Sequence, residues 1–113
     1  QFRNIYEQHG RIDYVVNAAG ILAKQPLVLM DYQDVIEAIQ INYIGAVHVA
    51  IAAYEYLKET KGQLLHFTSS SYTYGRAYYS LYSSSKAAVV NLTQALAEEW
   101  HNHFVRVNCI NPE

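Results

Sequence analysis

Along this chain the hydrophobic positions alternate between short runs and a helical period, and each switch marks an element. Asp13-Tyr14-Val15-Val16-Asn17 is a short apolar run closed by a turn signal at Gly20, the pattern of a buried strand. Residues 1–9 read as the end of a helix. Asp31 is a suitable N-cap, after which Val35, Ile36, Ile39, Tyr43, Val47, Ala50, Ile51 and Tyr54 recur at helical spacing. Lys58 and Lys61 sit near the end of that helix, and Gly62 is the expected stop. Gln63–Thr68 predicts a second strand, followed by a polar, Gly-containing loop over Ser69–Ser80. A second long helix is expected from about Ser83 to Trp100, with Ala87, Val90, Gln94, Ala97 and Glu98 marking how its faces alternate. Val105–Ile110 predicts a third strand, ended by Asn111-Pro112.

Strands alternating with long helices predict an α/β class with parallel pairing. Right-handed crossovers running in one direction put both helices on the same face. The opposite face of such a sheet would be bare, whereas parallel sheets are covered on both faces. The chain is therefore expected to be a segment of a longer protein, with no internal repeat or low-complexity linker.

Composition narrows the class without naming a chemistry. The 113 residues are 51% hydrophobic, which fits one globular domain and excludes a disordered chain. A net charge of −2 gives no basic footprint for nucleic acid. No apolar run approaches the roughly 18 residues of a membrane helix, and no secretion leader is visible. The single Cys109 fits a reducing cytoplasm.

In a parallel sheet the strand C-termini share one edge, where ligands bind. Asn17-Ala18-Ala19-Gly20, Thr68-Ser69-Ser70-Ser71 and Asn111-Pro112 converge there, and the start of the second helix brings Tyr82 and Lys86 to the same edge, one turn apart. A phenol ionises near pH 10. An ammonium beside it favours the phenolate, so such a Tyr is suited to exchange a proton with a carbonyl oxygen as hydride moves. A nearby Ser hydroxyl would hold the same oxygen. Tyr-x-x-x-Lys alone is a weak signal: eleven Tyr and four Lys predict roughly 0.4 chance matches, and two occur. The other, Tyr54 with Lys58, lies late in a helix and away from the strand ends, so it reads as a surface pair.

With these residues in place the sequence resembles the short-chain dehydrogenase/reductase family. The likeness is carried by Asn17-Ala18-Ala19-Gly20, by Asn42 in Ile41-Asn42-Tyr43-Ile44-Gly45, by Ser69, by Tyr82-Ser83-Ser84-Ser85-Lys86-Ala87-Ala88, and by Arg106-Val107-Asn108-Cys109-Ile110-Asn111-Pro112. It implies the C-terminal-side half of a Rossmann-type doubly wound parallel sheet, residues 1–113 being a β-α-β-α-β part of an NAD(P)-binding domain. It also implies roles: Tyr82 as acid/base, Ser69 as the hydroxyl that orients the carbonyl, Lys86 lowering the Tyr82 pKa and binding the nicotinamide ribose, and Asn42 holding a relay water. Asn17, Ala18, Gly20, Thr68 and Pro112 would border the cofactor. The implied activity is reduction of a carbonyl, or oxidation of an alcohol, with NADP or NAD.

The likeness has gaps. The five glycines are each at least ten residues apart, so no G-x-G-x-x-G phosphate turn is present. The family usually follows this Pro with Gly, whereas Glu113 stands here. This stretch alone is expected to bind cofactor poorly and not to turn over. A narrower resemblance, in Phe67-Thr68-Ser69-Ser70-Ser71, Tyr82-Ser83-Ser84-Ser85-Lys86-Ala87-Ala88 and Cys109-Ile110-Asn111-Pro112-Glu113, is to the reductase half of bifunctional ribitol-5-phosphate cytidylyltransferases. It implies D-ribulose 5-phosphate as substrate, NADPH as reductant and capsule or wall polymers as the destination. Two other readings stand beside it: a non-catalytic binding or dimerisation module of the same fold, and an extended sugar-nucleotide epimerase.

Other residues read more plainly. His101 and His103 are two apart and do not form a metal pair on a helix. His48 and His66 are expected as satisfied residues within packed elements, Ser83–Ser85 as helix-start caps, and Trp100 as packing. No G-x-S-x-G elbow surrounds Ser69–Ser71. Arg76 belongs to the tyrosine-rich loop and reads as solvent-facing, with a substrate phosphate as the alternative. A homo-oligomer pairing through the two long helices would use Val47, Ile51, Val90 and Leu96.

Overall fold

The computed structural model describes residues 1–22, 24–69 and 75–111. Helix α1 (Phe2–His9) leads into strand β1 (Tyr14–Asn17). A 3-10 turn over Leu27–Leu29, which the sequence pattern had not marked, precedes helix α2 (Tyr32–Ile39). A π segment (Gln40–Ile44) carries α2 into helix α3 (Gly45–Thr60). Strand β2 (Gln63–Phe67), helix α4 (Ser80–Glu99), a 3-10 turn at His101–His103 and strand β3 (Arg106–Ile110) complete the order.

The three strands form a parallel sheet in the order β1-β2-β3, as the alternation of elements predicted. Strand alternation sorts the side chains. Val15, Leu64 and Val107 stand side by side in the register and are all buried. The next row on that face is Asn17, His66 and Cys109. Ala46, Ala50, Ala53 and Leu57, spaced at helical period, form the buried stripe of α3, and their small size lets the helix sit close against the sheet. Leu96, Ala97 and Trp100 pack on the same core, and from α1 so do Phe2 and Tyr6, which also stack on Tyr56. Both long helices thus cover one face. On the other, Tyr14 is 67% and Val16 56% exposed, so that face is open among the described residues.

Asp31 caps α2 as expected, its carboxylate accepting from the Gln33 N–H at 3.2 Å. The stop of α3 differs from expectation. Lys61, not Gly62, takes the left-handed position (φ 55°), and its ammonium lies over the Phe104 ring. Gly62 is needed for close approach instead: a Cβ there would collide with the Asp13 carbonyl oxygen and lie 2.9 Å from Thr60 Oγ1. That carbonyl must be close because it accepts the Gln63 N–H that starts the β1–β2 pairing. Helix α4 begins three residues earlier than the pattern indicated, because the Ser83 N–H already bonds the Tyr79 carbonyl.

An 18-residue window within the continuous rod Tyr32–Thr60 is long and apolar enough to cross a membrane (mean hydropathy 1.5), contrary to the expectation that no apolar segment approaches that length; the small-residue stripe of α3 is taken up by the sheet. Of the four residues expected to pair helices between copies, Val90 is buried and Leu96 packs on the chain's own core. Ile51, 70% exposed, and the half-buried Val47 remain.

The two glycines at helix ends separate steric from conformational cost. Gly62→Ala should lower stability by about 2 kcal/mol or more, since the new methyl meets rigid backbone. Gly10→Ala, at φ 77° with nothing within 4 Å of its would-be Cβ, should cost about 1 kcal/mol. Urea unfolding midpoints of the two variants check this order.

Candidate functional site

The C-terminal ends of β1 and β2 and the start of α4 enclose a cleft of about 220 Å³ lined by Ala18, Gly20, Ile21, Leu22, Phe67, Thr68, Tyr82 and Lys86. Four of the residues expected to border a cofactor (Ala18, Gly20, Thr68 and Lys86) and the expected acid/base Tyr82 therefore meet in one place. Ser69 is half-buried one residue beyond Thr68 and is not among the described lining residues. Pro112 lies outside the described residues, as do Ser70 to Tyr74 and Glu113.

Lys86 sits in the first turns of α4 yet is only 6% exposed. Its Nζ donates to the Phe67 carbonyl oxygen at 3.3 Å, its one hydrogen-bond partner among the described residues. Burial pushes its ammonium below the ordinary lysine range. The approach is possible because residue 20 is glycine. A Cβ at Gly20 would stand 2.9 Å from Lys86 Nζ and 3.3 Å from Asn42 Oδ1.

Asn42 stands behind this edge, 2% exposed, on the π segment. Its Oδ1 accepts the Ile21 N–H at 2.7 Å, and its Nδ2 donates to the Ile21 carbonyl at 2.9 Å. The same Nδ2 donates to Ser85 Oγ at 3.2 Å, and Ser85 in turn donates to the Tyr82 carbonyl at 2.9 Å. The extra residue in the π turn rotates Asn42 inward. Its long-range bond from the Gly45 N–H to the Gln40 carbonyl leaves a Cβ at Gly45 only 3.3 Å from that oxygen.

Thr68 donates its hydroxyl to the Ile110 carbonyl, tying the end of β2 to β3. Asn17 turns away from the cleft: its Oδ1 accepts the Ala19 N–H at 3.2 Å and its Nδ2 faces His66 Nδ1 at 3.2 Å. His66 is fully buried, and its Nε2 has no partner among the described residues, so it is not the satisfied histidine expected from sequence. Burial first, then the Lys86 charge, holds its pKa below the ordinary value.

Several plainer expectations change. His48 faces solvent. Ser84 and Ser85 donate backwards to the Leu81 and Tyr82 carbonyls and do not cap N–H groups, and Ser83 Oγ is buried without a partner among the described residues. Arg76 is exposed, as read. Tyr54 bonds His103 Nδ1 at 2.7 Å, stacks on Trp100 and lies under Lys58, which confirms that the second Tyr-x-x-x-Lys pair is structural. Sequence reasoning missed Ser85 as the link between Asn42 and α4, and His66 as the partner of Asn17. A polar residue inside an apolar strand was the available signal for the second; the first had none.

The geometry fits a nicotinamide cofactor on its own terms. A buried ammonium with one carbonyl partner among the described residues retains donors for sugar hydroxyls, and the glycine beside it is what lets that ammonium reach the cleft.

Two outcomes follow from these contacts. Asn42→Ala should destabilise the protein by about 2–3 kcal/mol, because it strips both backbone groups of Ile21 of their partner; urea unfolding measures it. His66 binds its proton less readily when folded than unfolded, so the stability it contributes is complete above about pH 6.5 and is lost as the pH falls toward its folded value. Unfolding midpoints across that window should therefore drop less in His66→Leu than in the unaltered protein.

The short chain dehydrogenase family model matches residues 1–113. The chain is 51% identical over 112 residues to the bifunctional ribulose 5-phosphate reductase/CDP-ribitol pyrophosphorylase Bcs1 of Haemophilus influenzae, covering 99% of this chain and 24% of that protein. It is 31% identical to the 3-oxoacyl acyl-carrier-protein reductase of Bos taurus, over 98% of this chain and 47% of the relative. The crystal structure of gox2181 superposes with a TM-score of 0.91 at 29% identity, covering 97% of this chain and 44% of that one. The chain thus spans a quarter to a half of the length of these relatives. A match over its whole length, joined to a parallel sheet whose strand ends gather Tyr82, Lys86 and Asn42, makes this chain a member of the short chain dehydrogenase family.

Proposed function

We propose that the chain is the catalytic part of an NAD(P)-dependent reductase that converts the carbonyl of ribulose 5-phosphate to an alcohol, with NADPH as the reductant. The observation that carries this reading is the 51% identity to Bcs1, whose name gives a ribulose 5-phosphate reductase, across the stretch that holds the cleft residues.

Within that reading the residues divide the work. The bound nicotinamide supplies the hydride. Tyr82, at the mouth of the cleft, gives its phenolic proton to the carbonyl oxygen as that oxygen gains charge. Ser69 holds the same oxygen. Lys86 keeps one donor on Phe67 and turns the others to the cofactor ribose. Asn42 fixes the Ile21 backbone and, through Ser85, the first turn of α4, so it keeps Tyr82 and Lys86 in register with Gly20. Ala18, Gly20 and Thr68 border the cofactor. A cytoplasmic homo-oligomer, paired through Ile51 and Val47 of α3, completes the reading.

The test uses the full-length protein and follows NADPH absorbance with ribulose 5-phosphate and a panel of unphosphorylated ketones. Tyr82→Phe should cut kcat by at least about 100-fold and leave NADPH affinity unchanged. Lys86→Met should lose both turnover and affinity. Full turnover in Tyr82→Phe, or equal rates on every ketone, would remove the catalytic assignment or the substrate respectively.

A further inference from the structure

His66 is the polar residue of β2 that strand alternation turns toward the interior, in a row with Asn17 on β1 and Cys109 on β3. Its contacts fix its protonation. Asn17 Oδ1 is engaged by the Ala19 N–H, so the amide's NH₂ end is the one that faces the ring. Nδ1 must then accept, and the ring proton sits on Nε2. That Nε2–H is buried and has no acceptor among the described residues. As packing alone, the imidazole is inferior to a leucine, which would fill the site without the stranded Nε2–H. What the imidazole adds is the acceptor at Nδ1.

That acceptor holds one end of the turn on which the site rests. Asn17 shapes the turn through Ala19, Ala18 and Gly20 line the cleft, and Lys86 Nζ and Asn42 Oδ1 close on the open side of Gly20. We propose that His66 is a positioning residue for the cofactor edge: its neutral ring locks the Asn17 amide, and with it the 17–20 turn, in the form against which Lys86 is set. The role rests on the reading that this cleft takes a nicotinamide cofactor.

Protonation releases the lock. A ring carrying both protons presents an N–H to the Asn17 NH₂, and the amide must turn over and give up Ala19. The groups around His66 oppose that charge. Lys86 from α4 is already a cation near it, Cys109 lies across on β3, β1 offers the neutral Asn17, α3 buries only Ala46, Ala50, Ala53 and Leu57, and the π segment buries Asn42. The site is thus built to keep His66 neutral at ordinary pH.

The experiment uses the full-length protein and measures NADPH affinity by fluorescence from about pH 5.5 to 8, beside thermal unfolding and ring-carbon NMR shifts of His66. At neutral pH, His66→Leu should weaken NADPH binding roughly five-fold without lowering Tm. His66→Asn, whose Oδ1 stands near the place of Nδ1, should restore affinity and abolish the acid-side weakening seen in the unaltered protein. The NMR shifts should report the Nε2–H tautomer. A His66→Leu protein that binds NADPH as tightly as the unaltered one at every pH, or an Nδ1–H tautomer, would overturn the role. No NADPH binding by the unaltered protein would overturn the cofactor reading itself, and this role with it.

Discussion

One amide holds the functional edge together. Asn42 makes two bonds to the backbone of Ile21 and one to Ser85, so the loop after β1, the helical rod and the start of α4 meet at a single side chain. The sheet sets the direction of those segments, but not their spacing to a few tenths of an ångström. The π turn meets that requirement by directing Asn42 inward, where a regular α-helix would displace it along the face. Local geometry that is unfavourable as helix is thereby retained because three elements depend on it.

Against that clamp the structure buries a charge. An ammonium removed from water is costly unless it is paired, and Lys86 has one carbonyl and no carboxylate among the described residues. Such an arrangement weakens a protein as a scaffold and suits it as a site, since the unfilled donors and the low-dielectric surroundings act on whatever binds. Gly20 is the steric condition for it, and the chain from Asn17 to His66 keeps Gly20 where it is. Three separate sets of hydrogen bonds hold the edge: Asn42 with Ile21 and Ser85, Asn17 with Ala19 and His66, and Lys86 with Phe67.

Much of this was legible in the sequence, for physical reasons. Burial imposes short apolar runs on strands and a 3.6 period on helices, so the runs at Asp13–Asn17, Gln63–Thr68 and Val105–Ile110 and the two helical patterns announced a parallel sheet under two helices. The period marked Val47, Ile51 and Tyr54 on α3, whereas the buried stripe is Ala46, Ala50, Ala53 and Leu57. Tyr82 and Lys86 were legible because helix pitch brings residues four apart to one face. What was not legible depended on contacts between distant segments. Gly62 looked like a helix stop, but its reason is the Asp13 carbonyl of another strand. His66 looked like a packed, satisfied residue, but only the neighbouring strand's Asn17 fixes its tautomer. Ser85 looked like a helix-start cap, whereas the π segment makes it a link. Sequence periodicity reports which face is buried; it does not report what stands opposite.

The most direct measurement is a crystal structure of the full-length protein with NADPH bound. The account predicts ribose hydroxyls within about 3.2 Å of Lys86 Nζ and the nicotinamide ring in the cleft between Gly20 and Tyr82. A cofactor seated away from Lys86, with that ammonium still bonded only to Phe67, would contradict it.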